Sequence, residues 1–89
     1  MKETIWKFTL QATDIQTIKM PKGAKILCVQ TQNEIPCLWA IVDPSASMED
    51  RTFSIYGTGH NIDGYDRKYL GTFQLLKGNF IGHLFEQTI

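Results

Sequence analysis

The chain has 89 residues, with 9 basic and 9 acidic side chains and a formal net charge of zero. That length makes one domain, small enough to bury only about 60 to 65% of its unfolded surface, so homo-oligomerisation stays open as a way to bury more. The neutral balance argues against general nucleic-acid binding and against adhesion to a membrane surface, which both call for a basic face, and equally against an acidic DNA mimic.

In chain order, the first apolar run is Thr4 to Leu10, with Trp6, Phe8 and Leu10 on one face. Gln11 to Met20 has Ile15 and Ile18 at helical spacing. Thr17 and the following Pro21 tilt the segment towards an extended one. Pro21-Lys22-Gly23 reads as a turn. Lys25 to Gln32 and Ile35 to Asp43 read as a hairpin about Asn33-Glu34. Paired residue numbers then sum to about 67, so that Cys28 faces Trp39 and Cys37 faces Gln30. The two cysteines become diagonal neighbours, an awkward geometry for a disulfide. Apolar residues on both faces of Cys37 to Val42 mark this as the central, most buried strand. Trp6 and Trp39 are read as core aromatics.

Asp43-Pro44 opens a polar loop that includes Ser45 to Asp50. Thr52 to Tyr56 is the next strand, and Gly57 to Arg67 a long polar loop. Tyr69 to Leu76 and Phe80 to Phe85 form a second hairpin about Lys77-Gly78-Asn79. The fold expected is all-β: a single domain over residues 1–89, with six or seven antiparallel strands in a compact sandwich or a partly open barrel. No stretch reaches the roughly 18 to 20 apolar residues of a membrane span. The first residues, Met1-Lys2-Glu3-Thr4-Ile5-Trp6, enter structure at once and show no secretory signal. Cys28 and Cys37 are therefore expected as reduced thiols in a cytoplasm.

Seven blocks taken together resemble a family of short proteins of unknown function found in bacteriophages and prophages. They are Ile5-Trp6-Lys7, Met20 to Ala24, Pro36 to Ala40, Val42-Asp43-Pro44, Gly57-Thr58-Gly59-His60, Tyr69 to Gln74, and His83-Leu84-Phe85-Glu86. The resemblance implies a setting, an accessory protein acting in the cytoplasm of an infected bacterium. It implies no mechanism and no catalytic residues.

The first candidate site is Gly57-Thr58-Gly59-His60. Glycines there let backbone amides approach a phosphate or carboxylate, and His60 can bind or polarise the ligand near neutral pH. The plain alternative is a glycine turn with His60 in water. Arg51, Tyr56 and Arg67 are the supporting candidates. Asp63 and Asp66 fall in the same loop but miss the calcium-loop spacing. His83 sits in an apolar strand, with Ile81 and Phe85 on its face, and reads first as a half-buried, hydrogen-bonded side chain. A His60–His83 pair would point to hydrolase or metal chemistry, but two histidines make a thin ligand set. Neither cysteine carries a local signature for nucleophilic catalysis. The residues call for no cofactor and no metal.

These readings favour a non-catalytic binding protein, a counter-defence or host-takeover factor. Its partner is either a host protein, clamped through a sheet edge or loop, or a small anionic, nucleotide-like signal that it sequesters. A minor virion component and a small hydrolase using His60 are the alternatives.

Overall fold

The computed structural model describes residues 2–62, 64 and 66–88. Seven strands follow one another: β1 (Thr4–Thr9), β2 (Ile15–Pro21), β3 (Lys25–Gln32), β4 (Ile35–Val42), β5 (Met48–Gly57), β6 (Arg67–Leu75) and β7 (Phe80–Gln87). A 3-10 turn, Leu76–Gly78, joins the last two. The strands form two antiparallel sheets, β1-β4-β3 and β2-β5-β7-β6, packed face to face and not closed into a barrel. Among the described residues no helix is long and apolar enough to cross a membrane.

The β3–β4 hairpin has the expected register: Cys28 opposes Trp39, Gln30 opposes Cys37, and Gln32 opposes Ile35. Its two-residue turn puts Asn33 and Glu34 at φ 52° and 64°. Left-handed values at both positions match the right-handed twist of the flanking strands. A bulge between Ile26 and Cys28 shifts the register. At the preceding turn the Ala24 amide donates to the Pro21 carbonyl at 3.1 Å, and Gly23 supplies the positive φ, 82°. Both cysteines are free thiols.

Inward positions fill the core. Leu38, Ala40 and Val42 of β4 lie over Phe53 and Ile55 of β5, Leu84 of β7 and Phe73 of β6, and all of these are buried. The sheets close on one side, where β3 meets β6. There a Cβ built on Gly71 would lie 3.0 Å from the Cβ of Val29, a tight contact, so glycine eases the close approach of the two strands. Thr31 Oγ1 adds a bond to the Gln74 carbonyl at 2.7 Å. At one end of the molecule the Leu76 amide donates to the Glu34 carboxylate at 2.6 Å, joining the two hairpin turns.

Three expectations need correcting. The strand read as Thr52 to Tyr56 begins earlier, at Met48, and takes in much of the expected polar loop. This extension pairs with β2, and its charges are satisfied locally: Asp50 by Lys19 at 2.8 Å and Glu49 by the Gly23 amide at 3.3 Å. Trp6 is not a core residue but 37% exposed, because it lies on an edge strand where the sandwich is open. Trp39 is only half-buried, since alternation turns it to the outer face of its sheet.

Candidate functional site

Alternation along β5 turns Phe53, Ile55 and Gly57 into the core and Ser54 and Tyr56 to the outer face of the four-stranded sheet. The register then aligns two rows across β5, β7 and β6. One row is Tyr56, His83 and Thr72, and the other is Ser54, Phe85 and Tyr69.

His83 uses both ring nitrogens. Nε2 lies 2.8 Å from Thr58 Oγ1, and Nδ1 lies 3.0 Å from Thr72 Oγ1, which in turn lies 2.6 Å from the Tyr69 hydroxyl. A neutral imidazole needs one donor and one acceptor, whereas the cation needs two acceptors. Hydroxyls serve either way by rotating, so the chain Thr58–His83–Thr72–Tyr69 stays satisfied in both states. Beside it Phe85 meets Tyr56 and Tyr69 edge-on, with ring centroids 5.7 and 5.5 Å away. The Arg67 guanidinium lies 6.0 Å from the Tyr56 ring centroid and 5.9 Å from that of Phe85, at cation–π distance from both. Tyr69 is 55% exposed, so this surface offers an open aromatic face next to donors and a cation.

The segment between β5 and β6 leaves and rejoins the sheet at opposite ends of β7 for a topological reason. Both strands pair antiparallel with β7 and so run parallel to each other, and the chain must travel back along β7 between them. Segment 58–66 is pinned at both ends of that path. The Thr58 amide donates to the Ile81 carbonyl and the Thr88 amide to the Asp66 carbonyl, each at 3.3 Å.

The structure separates the candidates. Tyr56, Thr58 and Arg67 come together on the outer face. Gly57 is buried, and its amide donates to His60 Nδ1 at 3.2 Å, while the His60 amide returns to the Gly57 carbonyl at 3.0 Å. With the Thr58 amide also engaged, three of the four amides of the Gly-Thr-Gly-His segment are used within the fold. Gly59, at φ 89°, shapes the turn. The His60 ring folds onto the inward side of Gly57, at a small depression of about 130 Å³ shared with Asp14, Ile55 and Phe80. His60 and His83 therefore serve opposite faces of the sheet. Asp66 is exposed, and Asp63 lies outside the described residues. Among the described residues no three His, Cys, Asp or Glu side chains gather as a metal site.

Arg51 points inward. Its Nε and Nη2 donate to the two Glu86 oxygens at 2.6 and 2.9 Å, and Nη1 donates to the Ala24 carbonyl at 2.5 Å. The hydrogen-bonded Glu86 carboxylate raises the Arg51 pKa above its ordinary value, against the smaller opposing effect of burial. This arrangement bridges the two sheets and lies on the far side of β5 from Tyr56.

Tyr69, Thr72 and Phe85 were not candidates from the sequence. Alternation within β7 pairs His83 with Phe85, and alternation within β5 pairs Ser54 with Tyr56. Only the strand order shows that these faces are the same one.

The molecule is thus a two-sheet antiparallel β-sandwich with an aromatic, hydroxyl-rich surface on its larger sheet. Residues 1–89 match, end to end, the family described as a domain of unknown function, DUF7352, and the chain belongs to it. No curated protein and no solved structure matches the chain.

Proposed function

We propose that this protein is a non-catalytic binding protein. Its ligand would be a small, planar, anionic molecule of nucleotide type, held on the outer face of the four-stranded sheet. The observation that carries this reading is the Tyr56, His83 and Thr72 row lying beside Phe85, Tyr69 and Arg67. A base is recognised by stacking on an aromatic side chain, which is worth about 1 to 3 kcal/mol per base. A phosphate is recognised by the several donors of a guanidinium. Both kinds of group stand here within one patch. The biological setting rests on the sequence resemblance: a phage-encoded factor that sequesters a host signal in the bacterial cytoplasm.

A binding role is favoured over hydrolysis by the hydrogen bonding of the two histidines. His60 Nδ1 is held by a backbone amide, and His83 is held between two threonine hydroxyls. His83 meets a hydroxyl at each nitrogen and no carboxylate that would orient the imidazole as a general base, and His60 Nδ1 meets only a backbone amide.

The test is native mass spectrometry on protein released gently from the bacterium that expresses it. A nucleotide-sized adduct is expected on the protein, on a monomer or on an oligomer. It should be lost in Tyr69→Ala and in His83→Ala while both variants keep the native charge-state envelope. A ligand-free species from a nucleotide-replete lysate would count against the reading.

A further inference from the structure

The other sheet presents a different surface. On β4, alternation buries Leu38, Ala40 and Val42 and sends Ile35, Trp39 and Ile41 outward. Ile35 is 47% exposed, Ile5 of β1 57%, and Leu27, at the β3 bulge, 45%. Ile5, Leu27, Cys28, Gln30 and Trp39 line an open depression of about 360 Å³. A strand apolar on both faces is expected to be covered on both. No described strand packs over the outer face of this one, and contiguous exposed apolar surface of this kind marks interaction sites.

Charge narrows what fits there. The register puts Lys7 beside Trp39 and Lys25 beside Ile41 on this face. The outward positions of β1, β3 and β4 carry no carboxylate. A chain that is neutral as a whole thus has one apolar face with cations only. Lys7 reaches diagonally past Cys37 to Gln32 Oε1 at 2.7 Å, which holds its ammonium over the sheet. A second copy docking by the same face has no carboxylate there to set against either lysine. The complement is a different surface.

We propose that the outer face of the three-stranded sheet docks a partner protein. The partner inserts an apolar side chain between Ile5, Leu27 and Trp39 and sets Asp or Glu residues against Lys7 and Lys25. With strands about 4.8 Å apart and about 3.3 Å per residue, the face measures roughly 14 by 26 Å. That places the contact with small, transient interfaces rather than obligate ones. The surface is separate from the nucleotide-type site and stands or falls independently of it.

The test is selection of binders from a displayed random dodecapeptide library against the intact protein. Enriched peptides are expected to combine an aromatic or large aliphatic residue with flanking Asp or Glu. Their binding should fall at least tenfold in Leu27→Glu and in the double variant Lys7→Glu, Lys25→Glu, and should weaken with salt. All three positions are exposed, and an unchanged cooperative thermal unfolding transition reports that each variant is folded. Bound peptide should also slow alkylation of Cys28, while Tyr69→Ala leaves peptide binding unchanged. Failure to enrich any binder overturns the proposal. So does enrichment of basic peptides, or of peptides that bind the Leu27→Glu protein equally well.

Discussion

Arg51 and Glu86 form a bidentate ion pair across β5 and β7, with side chains only 17% and 14% exposed, and the same guanidinium holds the Ala24 carbonyl at the start of β3. Arg51 was a ligand candidate from sequence, but its geometry is that of a tie between two sheets. Removing one partner strands the other charge in a half-dry site. Arg51→Ala and Glu86→Ala are each expected to cost about 2 to 3 kcal/mol in denaturant unfolding. The double variant should cost less than the sum of the two, which a double-mutant cycle measures. Because Glu86 raises the Arg51 pKa, this contribution is fully present below the ordinary arginine range and is lost only in strong alkali.

Two glycines paired across β5 and β7 differ in what an added methyl would meet. At Gly82 a Cβ would lie 2.5 Å from Phe73 Cζ, deep in the core, whereas at Gly57 it would lie 2.7 Å from His60 Cε1, at the surface. Phe73 cannot move without displacing its neighbours, while the His60 ring can swing into water. Gly82→Ala is therefore expected to lose about 2 to 3 kcal/mol of stability as overpacking. Gly57→Ala should lose well under half of that. Equal losses in thermal unfolding would contradict the packing described here.

The two thiols should be told apart by a thiol reagent. Cys37 is 1% exposed beneath the Lys7–Gln32 bond, and Cys28 is half-buried at the apolar depression. Native protein is expected to label once per chain, at Cys28, and denatured protein twice, as read by peptide mass mapping.

Asp43 gives an acid-side prediction. Its carboxylate accepts the Ser45 hydroxyl at 2.7 Å and the Ser45 amide at 3.0 Å, and these bonds, the hydroxyl foremost, hold its pKa below the ordinary value. A depressed carboxylate stabilises the fold above its unfolded pKa and loses that contribution as pH falls through the folded value. The Tm difference between the natural chain and Asp43→Ala should thus be steady near neutrality and shrink below about pH 4. An Asp43 carboxyl resonance titrating above the usual aspartate range would contradict this.

Local pattern carried far in this chain. The β3–β4 hairpin was legible because one two-residue turn fixes every pairing after it, up to the Leu27 bulge. The start of β5 was missed because Glu49 and Asp50 look like loop residues when their partners on β2 and the Pro21–Ala24 turn are out of view. Strand order was not legible, because β5 and β6 meet through β7, which comes later in the chain than either. Without that order, His83 could not be joined to Tyr56 or Thr72. The Gly57 to His60 segment drew attention because glycines signal an available backbone, and the sequence does not show that its amides are spent on Ile81, His60 and Gly57.

Nucleotide binding on the four-stranded sheet is tested most directly by an NMR titration that follows the aromatic resonances. The probes are a panel of cyclic and linear ribonucleotides, with inorganic phosphate and uncharged nucleosides as controls. Saturable shifts are expected at Tyr56, Tyr69, His83 and Phe85 with at least one nucleotide, weaker with its nucleoside and absent in Tyr69→Ala. If no nucleotide moves these four residues, or if the Tyr69→Ala protein binds as well as the natural one, the outer face of the four-stranded sheet is not the binding site.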